Sequence, residues 1–570
     1  MDDQKTRLAE LIAPALPLDE DAVRGLIVPC KRPEHGDLSM PCFVLAKSMK
    51  KNPAQIAGEL AETLKPAFED AGIQISAMGP FLNMKFDESQ VAAGLLRAIQ
   101  SAELFGGSDE GAGKTIVIDY SSPNIAKPFG IGHLRSTVIG ASLKRLYEAR
   151  GYEVVGVNHI GDWGTQFGMM IAAWKRWGDE VKDEDDKVQA FYDLYVRINK
   201  MAKDDAAIKE EARSWFVKLE EGDEEATTLW KFFRDTSLAE FNRIYELLGI
   251  SFEAITGESF YNDKMEKTVK RLEDKGLAEQ SDGALIIDLD KVQEGLGVCL
   301  LRKSDGATLY ATRDLTAAWY RAETYKPEKI IYVVGFPQKQ HFEQWFKVVE
   351  LMGEDWAKGL TYVPFGHYQG MSTRGGTLVF LNEVISRTQE TAANIAAGLR
   401  TREQIELSDE EIAEVGRQVG IGAVIFQDFN GRRIKDVKFD WDRMLNLQGD
   451  TGPYVQWTYA RCCGILRKHG REISTEVDFS LLEGEQTREL MKALGRFPSQ
   501  ITRAIDEHEP SYIASYLIEL AKAANAWIHH NDVIHSEDAL RDARALVVAS
   551  TRKVLGHGMS LLGMPILEKM

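Results

Sequence analysis

The sequence predicts an α/β protein with a Rossmann-like, doubly wound parallel sheet at its centre. A small α+β domain precedes the sheet and an all-helical bundle follows it. Three observations carry this. Apolar strand-like runs alternate with helix-like stretches through the middle of the chain, the pattern of βαβ units. One of these runs, Ile116, Val117 and Ile118, leads through a turn-rich segment (Ser121, Ser122, Pro123, Asn124) to Gly130-Ile131-Gly132-His133 and a helix-like sequence. From about Leu407 to Met570 helical periodicity dominates, as in the stripe Ile513, Leu517, Leu520, Ala521, Ala524 and Trp527.

A chain of 570 residues has room for three domains, placed here at 1–112, 113–404 and 405–570, with a helical insertion at about 175–272. Charged residues make up 27% and no apolar run reaches the ~18 residues of a membrane span, so a globular, non-membrane protein is expected. The acidic, amphipathic N-terminus has no basic n-region and does not resemble a secretory signal. Cys30, Cys42, Cys299, Cys462 and Cys463 form no C-x-x-C pair and read as reduced core thiols of a cytoplasmic protein. His529, His530 and His535 match no common zinc spacing, and no metal site is expected. The net charge of −18 argues against a nonspecific nucleic-acid coat, although local basic patches remain open to a nucleic-acid ligand.

Taken in order, Leu8, Leu11, Ile12 and Leu16 mark one face of a first helix. A turn at Pro33-Glu34-His35-Gly36-Asp37 precedes a basic segment in which Lys47, Lys50 and Lys51 lie three or four apart and are expected on one helical face. Asn52-Pro53 starts another helix, GPFLNMKF alternates like a strand, and Gly106, Gly107, Gly111 and Gly113 mark a linker. A strand, a glycine-bearing loop and a helix N-terminus then make an anion site, where backbone N–H groups and the helix dipole meet a phosphate. His133, on the first turn, can donate to a phosphate oxygen.

Tyr152 to Asn158 reads as a further strand, with Asp162, Trp163 and Gln166 just past its end; simple core packing accounts for Trp163 at least as well as a ligand role. The aromatics of the insertion read as core. Strand-like runs return at ALIIDL, GVCLLRK and KIIYVVG. Tyr310, Arg313 and Asp314 open a helix, and Gln338 and His341 follow KIIYVVG. Asp314 is either a helix cap or the partner of Asp119 at the end of the Ile116–Ile118 strand. Two carboxylates in one pocket repel unless a cation lies between them, and a guanidinium suits them well because its donor fork matches carboxylate geometry. Near residue 430 to 460, Arg432, Arg433, Lys435 and Lys438 interleave with Tyr454, Trp457 and Tyr459; this fits either a bundle core or a surface for unstacked RNA bases.

SPNIAKPF at 122–129, followed by Gly-Ile-Gly-His-Leu-Arg-Ser-Thr, resembles the signature loop of class I arginyl-tRNA synthetases, with Gly130 where class I enzymes usually carry a first His. Gly370-Met371-Ser372-Thr373-Arg374 resembles the second class I signature in its arginine-enzyme form, with Gly370 in place of the first Lys and Thr373-Arg374 in place of the last. The resemblance continues through KLEEGDEEATTLWKFFRD, GDTGPYVQWTYAR and the ending LLGMPILEKM, and so spans essentially the whole chain.

The family implies a class I synthetase core, an N-terminal domain that touches the tRNA elbow and a C-terminal anticodon-binding bundle. It implies ATP-dependent activation of L-arginine and transfer to the 3′-terminal ribose of tRNA(Arg), with activation that usually requires bound tRNA and with Mg²⁺ bridging the phosphates. By resemblance, Asp119, Asn124, Tyr310, Asp314 and Gln338 form the arginine pocket. Asp119, Tyr310 and Asp314 take its guanidinium end, and Asn124 and Gln338 the α-amino and carboxylate end. Gly130, Gly132, His133, Met371, Ser372 and Thr373 contact ATP, while Lys127, His133 and Arg374 stabilise phosphate charge. Lys127 then compensates for the missing signature lysine. Asn83, Tyr454 and Met570 are the expected tRNA neighbours, and a cytoplasmic monomer is expected. Gly130 and Gly370 motivate an alternative, a catalytically weakened paralogue that binds tRNA or arginine for regulation; a class I relative that activates another amino acid is a second.

Overall fold

The computed structural model describes residues 2–30, 32, 35–304, 306, 308, 310–369, 381–403, 408–438 and 440–570. They form two compact units. One holds the chain to residue 105 together with 461–499 and 519–555; the other holds 106–460, 500–518 and 556–570.

In the first unit, β1 (Val28–Pro29), β2 (Leu38–Pro41), β3 (Ile73–Met78) and β4 (Phe81–Phe86) form an antiparallel sheet in the order β1-β2-β4-β3. The GPFLNMKF alternation puts Leu82 and Met84 inside, against Leu8, Ile12, Ile56, Leu60 and Phe68. The helix Pro53–Asp70 starts where Asn52 caps Ala54 N–H and Pro53 takes the first helical position. The three lysines do not share one helix. Lys47 lies in Ala46–Met49, Lys50 ends that helix with φ 50°, and Lys51 pairs with Glu59 at 2.5 Å. Pro33 and Glu34 of the expected turn lie outside the described residues; Asp37 accepts the Phe86 N–H at 3.0 Å. The C-terminal helices of this unit pack internally through contacts such as Trp527 Nε1 donating to Thr487 Oγ1 at 3.0 Å.

The second unit is built on β5 (Thr115–Asp119), β6 (Glu153–Asn158), β7 (Ala254–Ile255), β11 (Lys329–Gly335) and β12 (Leu360–Phe365). They form an all-parallel sheet in the order β12-β11-β5-β6-β7. From β5 the chain winds one way to β6 and β7 and the other way to β11 and β12. The topological switch point therefore lies between β5 and β11, where a doubly wound sheet opens a crevice at its strand ends. Ile116, Val117 and Ile118 are fully buried, as a strand covered on both faces requires.

Four helices, Gln166–Val181, Lys187–Asp204, Ala206–Glu220 and Glu224–Leu248, separate β6 from β7. β7 lies inside the stretch read as the insertion and is too short to show a period of two. ALIIDL and GVCLLRK do not join the parallel sheet. They form β9 (Ala284–Asp288) and β10 (Val298–Arg302), which with β8 (Glu279–Ser281) make a separate antiparallel sheet. Apolar runs of this length do not state their partner strand, which only the tertiary fold fixes. The helix Asp409–Phe429 opens with a capping box between Ser408 and Glu411; residues 404–407, and with them the predicted boundary at 404/405, lie outside the described residues. Two short strands, β13 (Tyr368–Gln369) and β14 (Val437–Lys438), pair in parallel. Among the described residues no helix is long and apolar enough to cross a membrane.

Candidate active site

The site grows from the C-terminal end of β5. Three non-glycine residues just beyond it, Ser121, Ser122 and Ala126, hold φ of 71°, 50° and 59°. Left-handed backbone at such residues costs about 1–3 kcal/mol each and persists only where the surroundings impose it. Here the imposition is visible. Ser121 N–H donates to Ser136 Oγ at 2.9 Å, and Ser136 Oγ donates to the Val333 carbonyl at 2.7 Å. Ser122 N–H donates to Asn158 Oδ1 at 3.2 Å, and Ala126 N–H to Ser237 Oγ at 2.9 Å.

The loop delivers the chain to Gly130, which caps the helix Ile131–Glu148 with no side-chain hydrogen bond. The first N–H groups of that helix therefore have no capping side chain of their own. Gly132 is exposed, and a Cβ placed there would meet nothing within 4 Å, so the approach is open. His133 is half-buried, with a buried Nδ1 that has no hydrogen-bond partner among the described residues. Burial, and then the nearby Lys127 ammonium, push its pKa down to about 4, so the ring is a neutral donor at physiological pH. Lys127 is half-buried, its Nζ 5.4 Å from the Tyr195 ring centroid, and burial lowers its pKa. A cradle of helix N–H groups, a neutral imidazole and a desolvated ammonium suits the oxygens of a polyphosphate.

Beside this cradle lies a charge cluster. Asp119 is buried, but its expected cation is supplied by the protein: Arg321 Nη2 approaches Asp119 Oδ2 at 2.7 Å, while Ser122 Oγ donates to Oδ1 at 3.0 Å. Burial works against the Arg321 charge, but Asp119 and the Tyr261 and Tyr332 phenols outweigh it and hold the guanidinium protonated. Asp314 lies a full turn inside the helix Tyr310–Tyr325, so it is not a cap; its Oδ2 sits 2.5 Å from His341 Nε2. Tyr310, four residues earlier on the same helical face, is 69% exposed. Gln338 is exposed at the start of the helix Lys339–Met352. Asn124 is exposed and bridges to Gly161; a Cβ on Gly161 would lie 2.1 Å from Asn124 Oδ1, so only glycine admits that side chain.

The structure adds residues that the sequence did not single out. Glu258 opens the 3-10 turn Glu258–Lys264, its Oε2 3.9 Å from Arg313 Nη1. Burial, reinforced by Asp162 and Asp314 and opposed by Arg313, raises its pKa to about 7. Asp162 itself is locked: it is buried and accepts from Ser259 N–H at 2.8 Å and Ser259 Oγ at 2.6 Å. His159 Nδ1 lies 3.4 Å from Arg321 Nη2, and burial lowers its pKa. Four carboxyl groups (Asp119, Asp162, Glu258, Asp314) thus share the cluster with two guanidiniums (Arg313, Arg321) and the imidazoles of His159 and His341, so the carboxyls outnumber the guanidiniums and the cluster suits a further cation. Trp163 is half-buried and packs edge-on against Phe216 and Trp230. Gly370, Met371, Ser372, Thr373 and Arg374 lie outside the described residues.

Elsewhere, Asn83 is 4% exposed and its Oδ1 accepts from Ser39 Oγ at 2.7 Å, while Phe43 and Phe81 of the same unit are exposed and meet edge-on at 5.7 Å. Tyr454 is half-buried near the start of the helix Gly452–His469, with its ring roughly parallel to Trp457 at 6.3 Å; Met570 is also half-buried.

Residues 96–441 match the family described as tRNA synthetases class I (R), catalytic domain. The chain belongs to the class I arginyl-tRNA synthetase family. Residues 2–86 match the arginyl tRNA synthetase N terminal domain and residues 455–570 the DALR anticodon binding domain. Arginine–tRNA ligase 1 of Bacillus cereus is 45% identical over 575 residues, covering 100% of both chains. Arginine–tRNA ligase of Clostridioides difficile is 42% identical over 558 residues, covering 97% of each. The arginyl-tRNA synthetase structure from Thermus thermophilus shares the fold with a TM-score of 0.79 at 24% identity, covering 99% of this chain and 100% of that one. The one from Plasmodium falciparum does so at 0.74 and 24% identity, covering 95% and 94%. These matches give no support to a regulatory paralogue.

Proposed function

We propose that the protein activates L-arginine with ATP to arginyl-adenylate and transfers the arginyl group to the 3′-terminal ribose of tRNA(Arg), with Asp314 and Glu258 as the principal acceptors of the substrate guanidinium. The observation that carries the assignment is the surplus of carboxyl groups over resident guanidiniums beside the helix N-terminus, with only the His341 imidazole on Asp314. Tyr310 adds its hydroxyl from the same helical face as Asp314, and Asp119, already tied to Arg321, contributes its remaining lone pairs. Asn124 and Gln338 hold the α-amino and carboxylate end. A lysine substrate is rejected because its ammonium leaves fork acceptors unpaired, and unpaired buried acceptors are costly.

In the first step the arginine carboxylate attacks the ATP α-phosphorus in line and pyrophosphate departs. Lys127, His133 and the N–H groups at Gly132 stabilise the phosphate charge, and catalysis is positioning plus preorganised electrostatics. Met371, Ser372, Thr373 and Arg374 are assigned to the same phosphates from the second signature. Mg²⁺ is placed with the nucleotide, as part of the substrate, because a small hard cation is commonly held by phosphate oxygens and water. In the second step the terminal ribose hydroxyl of tRNA takes the arginyl group from the adenylate.

Residues 1–112 are assigned to the tRNA elbow, 113–404 to catalysis and 405–570, including Tyr454 and Met570, to the anticodon. Buried Asn83 supports the elbow surface from within, and the exposed Phe43–Phe81 pair offers aromatic faces for an unstacked base. Arginine activation is coupled to bound tRNA, and the protein works as a monomer in the cytoplasm. The test is ATP–pyrophosphate exchange with Asp314→Ala: the arginine KM rises by about tenfold if a charge-assisted hydrogen bond to the substrate is lost. Unchanged arginine use withdraws the pocket assignment.

A further inference from the structure

Two residues after His133, on another face of the same helix, Arg135 is buried to 1% exposure and takes no part in the chemistry above. Its guanidinium donates four hydrogen bonds to three separate chain segments. Nε donates to Asp428 Oδ1 at 2.7 Å, near the end of the helix Asp409–Phe429. Nη1 donates to the Gly366 carbonyl at 2.8 Å and the Lys435 carbonyl at 2.9 Å, and Nη2 to the Arg433 carbonyl at 3.2 Å. Asp428 is fully buried as well, and its second oxygen accepts from Tyr368 OH at 2.7 Å. The segment so gripped, Pro364 to Gln369, runs from the end of β12 through β13 and leads directly to residue 370. It is fixed from the other side too. Gly366 N–H donates to the Arg433 carbonyl at 2.9 Å, and a Cβ on Gly366 would lie 2.6 Å from the Lys435 carbonyl carbon.

A buried ion pair is a poor way to gain stability, because desolvating two charges offsets most of their attraction and apolar residues of like size often do as well. What the pair does supply is geometry: a planar fork with fixed donor directions admits one arrangement of its acceptors. We propose that Arg135, with Asp428 and Tyr368, is a positioning brace that sets the stem preceding the second signature against the helix N-terminus that carries His133. The stem that ends at Gln369 then keeps one place relative to the helix that carries His133 during adenylate formation. The proposal rests on the assignment of His133 to the phosphates.

Asp428→Asn keeps shape and removes the charge; Tyr368→Phe removes one hydroxyl and little else. Both are assayed as full-length protein by tRNA-dependent ATP–pyrophosphate exchange, with kcat referred to folded molecules by active-site titration, alongside His133→Ala. A brace lowers kcat about tenfold in Asp428→Asn and about threefold in Tyr368→Phe, with the arginine KM within about twofold of the parent. Loss of melting temperature with kcat per folded molecule unchanged would make the cluster merely structural and overturn the proposal; so would a rise in arginine KM at constant kcat. Should Asp428→Asn not fold, an unchanged kcat in Tyr368→Phe overturns it alone. If His133→Ala itself leaves kcat unchanged, the phosphate assignment fails rather than the brace.

Discussion

Glu258 makes opposite demands on stability and function, and Glu258→Gln separates them. Its carboxyl is 17% exposed, and its pKa stands at about 7 against an ordinary 4.5. A folded-state pKa above the unfolded value favours the fold below about pH 4.5, and that contribution is lost as the pH rises through 7. At about 1.4 kcal/mol per pKa unit, the charged carboxylate costs the free protein about 3 kcal/mol at pH 8. Glu258→Gln therefore melts higher than the parent at pH 8 and at nearly the same temperature at pH 4.5, read by differential scanning fluorimetry without substrates. Binding runs the other way. The carboxylate is ionised in roughly one molecule in ten at pH 6 and nine in ten at pH 8. If the guanidinium needs the ion, the arginine KM of the parent falls about tenfold between those pH values, and Glu258→Gln is weak at both with no slope. A parent KM that does not change with pH, or a Gln variant that keeps the slope, refutes the assignment.

Arg321→Met leaves Asp119 buried without its partner and destabilises by about 3–5 kcal/mol in chemical denaturation, whereas the double variant Asp119→Leu/Arg321→Met recovers most of the loss. His133→Ala lowers kcat for exchange by about 10²–10³ with the arginine KM unchanged. Because burial and Lys127 hold the His133 pKa at about 4, the ring stays neutral above that value, and its contribution to kcat is flat from pH 6 to 8. The pair Phe43→Ala/Phe81→Ala raises the tRNA KM by the roughly 1–3 kcal/mol of a lost base–aromatic stack, with arginine binding untouched.

The parts of the site that the sequence made legible are those where chemistry and chain order coincide. Ile116 to Ile118 reads as a buried strand because nothing polar interrupts it, and a glycine followed by His133 reads as a helix start because the residues are consecutive. Two carboxylates in one pocket led to the expectation of a guanidinium, and the one that meets Asp119 in the fold is the protein's own Arg321. Arg321 belongs to the same helix as Asp314, and nothing in TLYATRDLTAAWYRAE says that its guanidinium returns to Asp119. Glu258 was hidden for a similar reason. A glutamate in ITGESFY looks solvated until the fold buries it and its pKa moves. Gly257 before it was the available signal, since a Cβ there would lie 2.6 Å from Asp162 Oδ1. The placement of ALIIDL and GVCLLRK in a sheet of their own lies equally beyond periodicity, which reports which face is buried but not which strand lies alongside.

The most direct test of the whole account is arginine-dependent ATP–pyrophosphate exchange by the full-length protein, with and without tRNA carrying an arginine anticodon. Exchange is expected with arginine, none with lysine, and none without tRNA. Absent exchange while tRNA is demonstrably bound, or exchange supported equally by lysine, would contradict it.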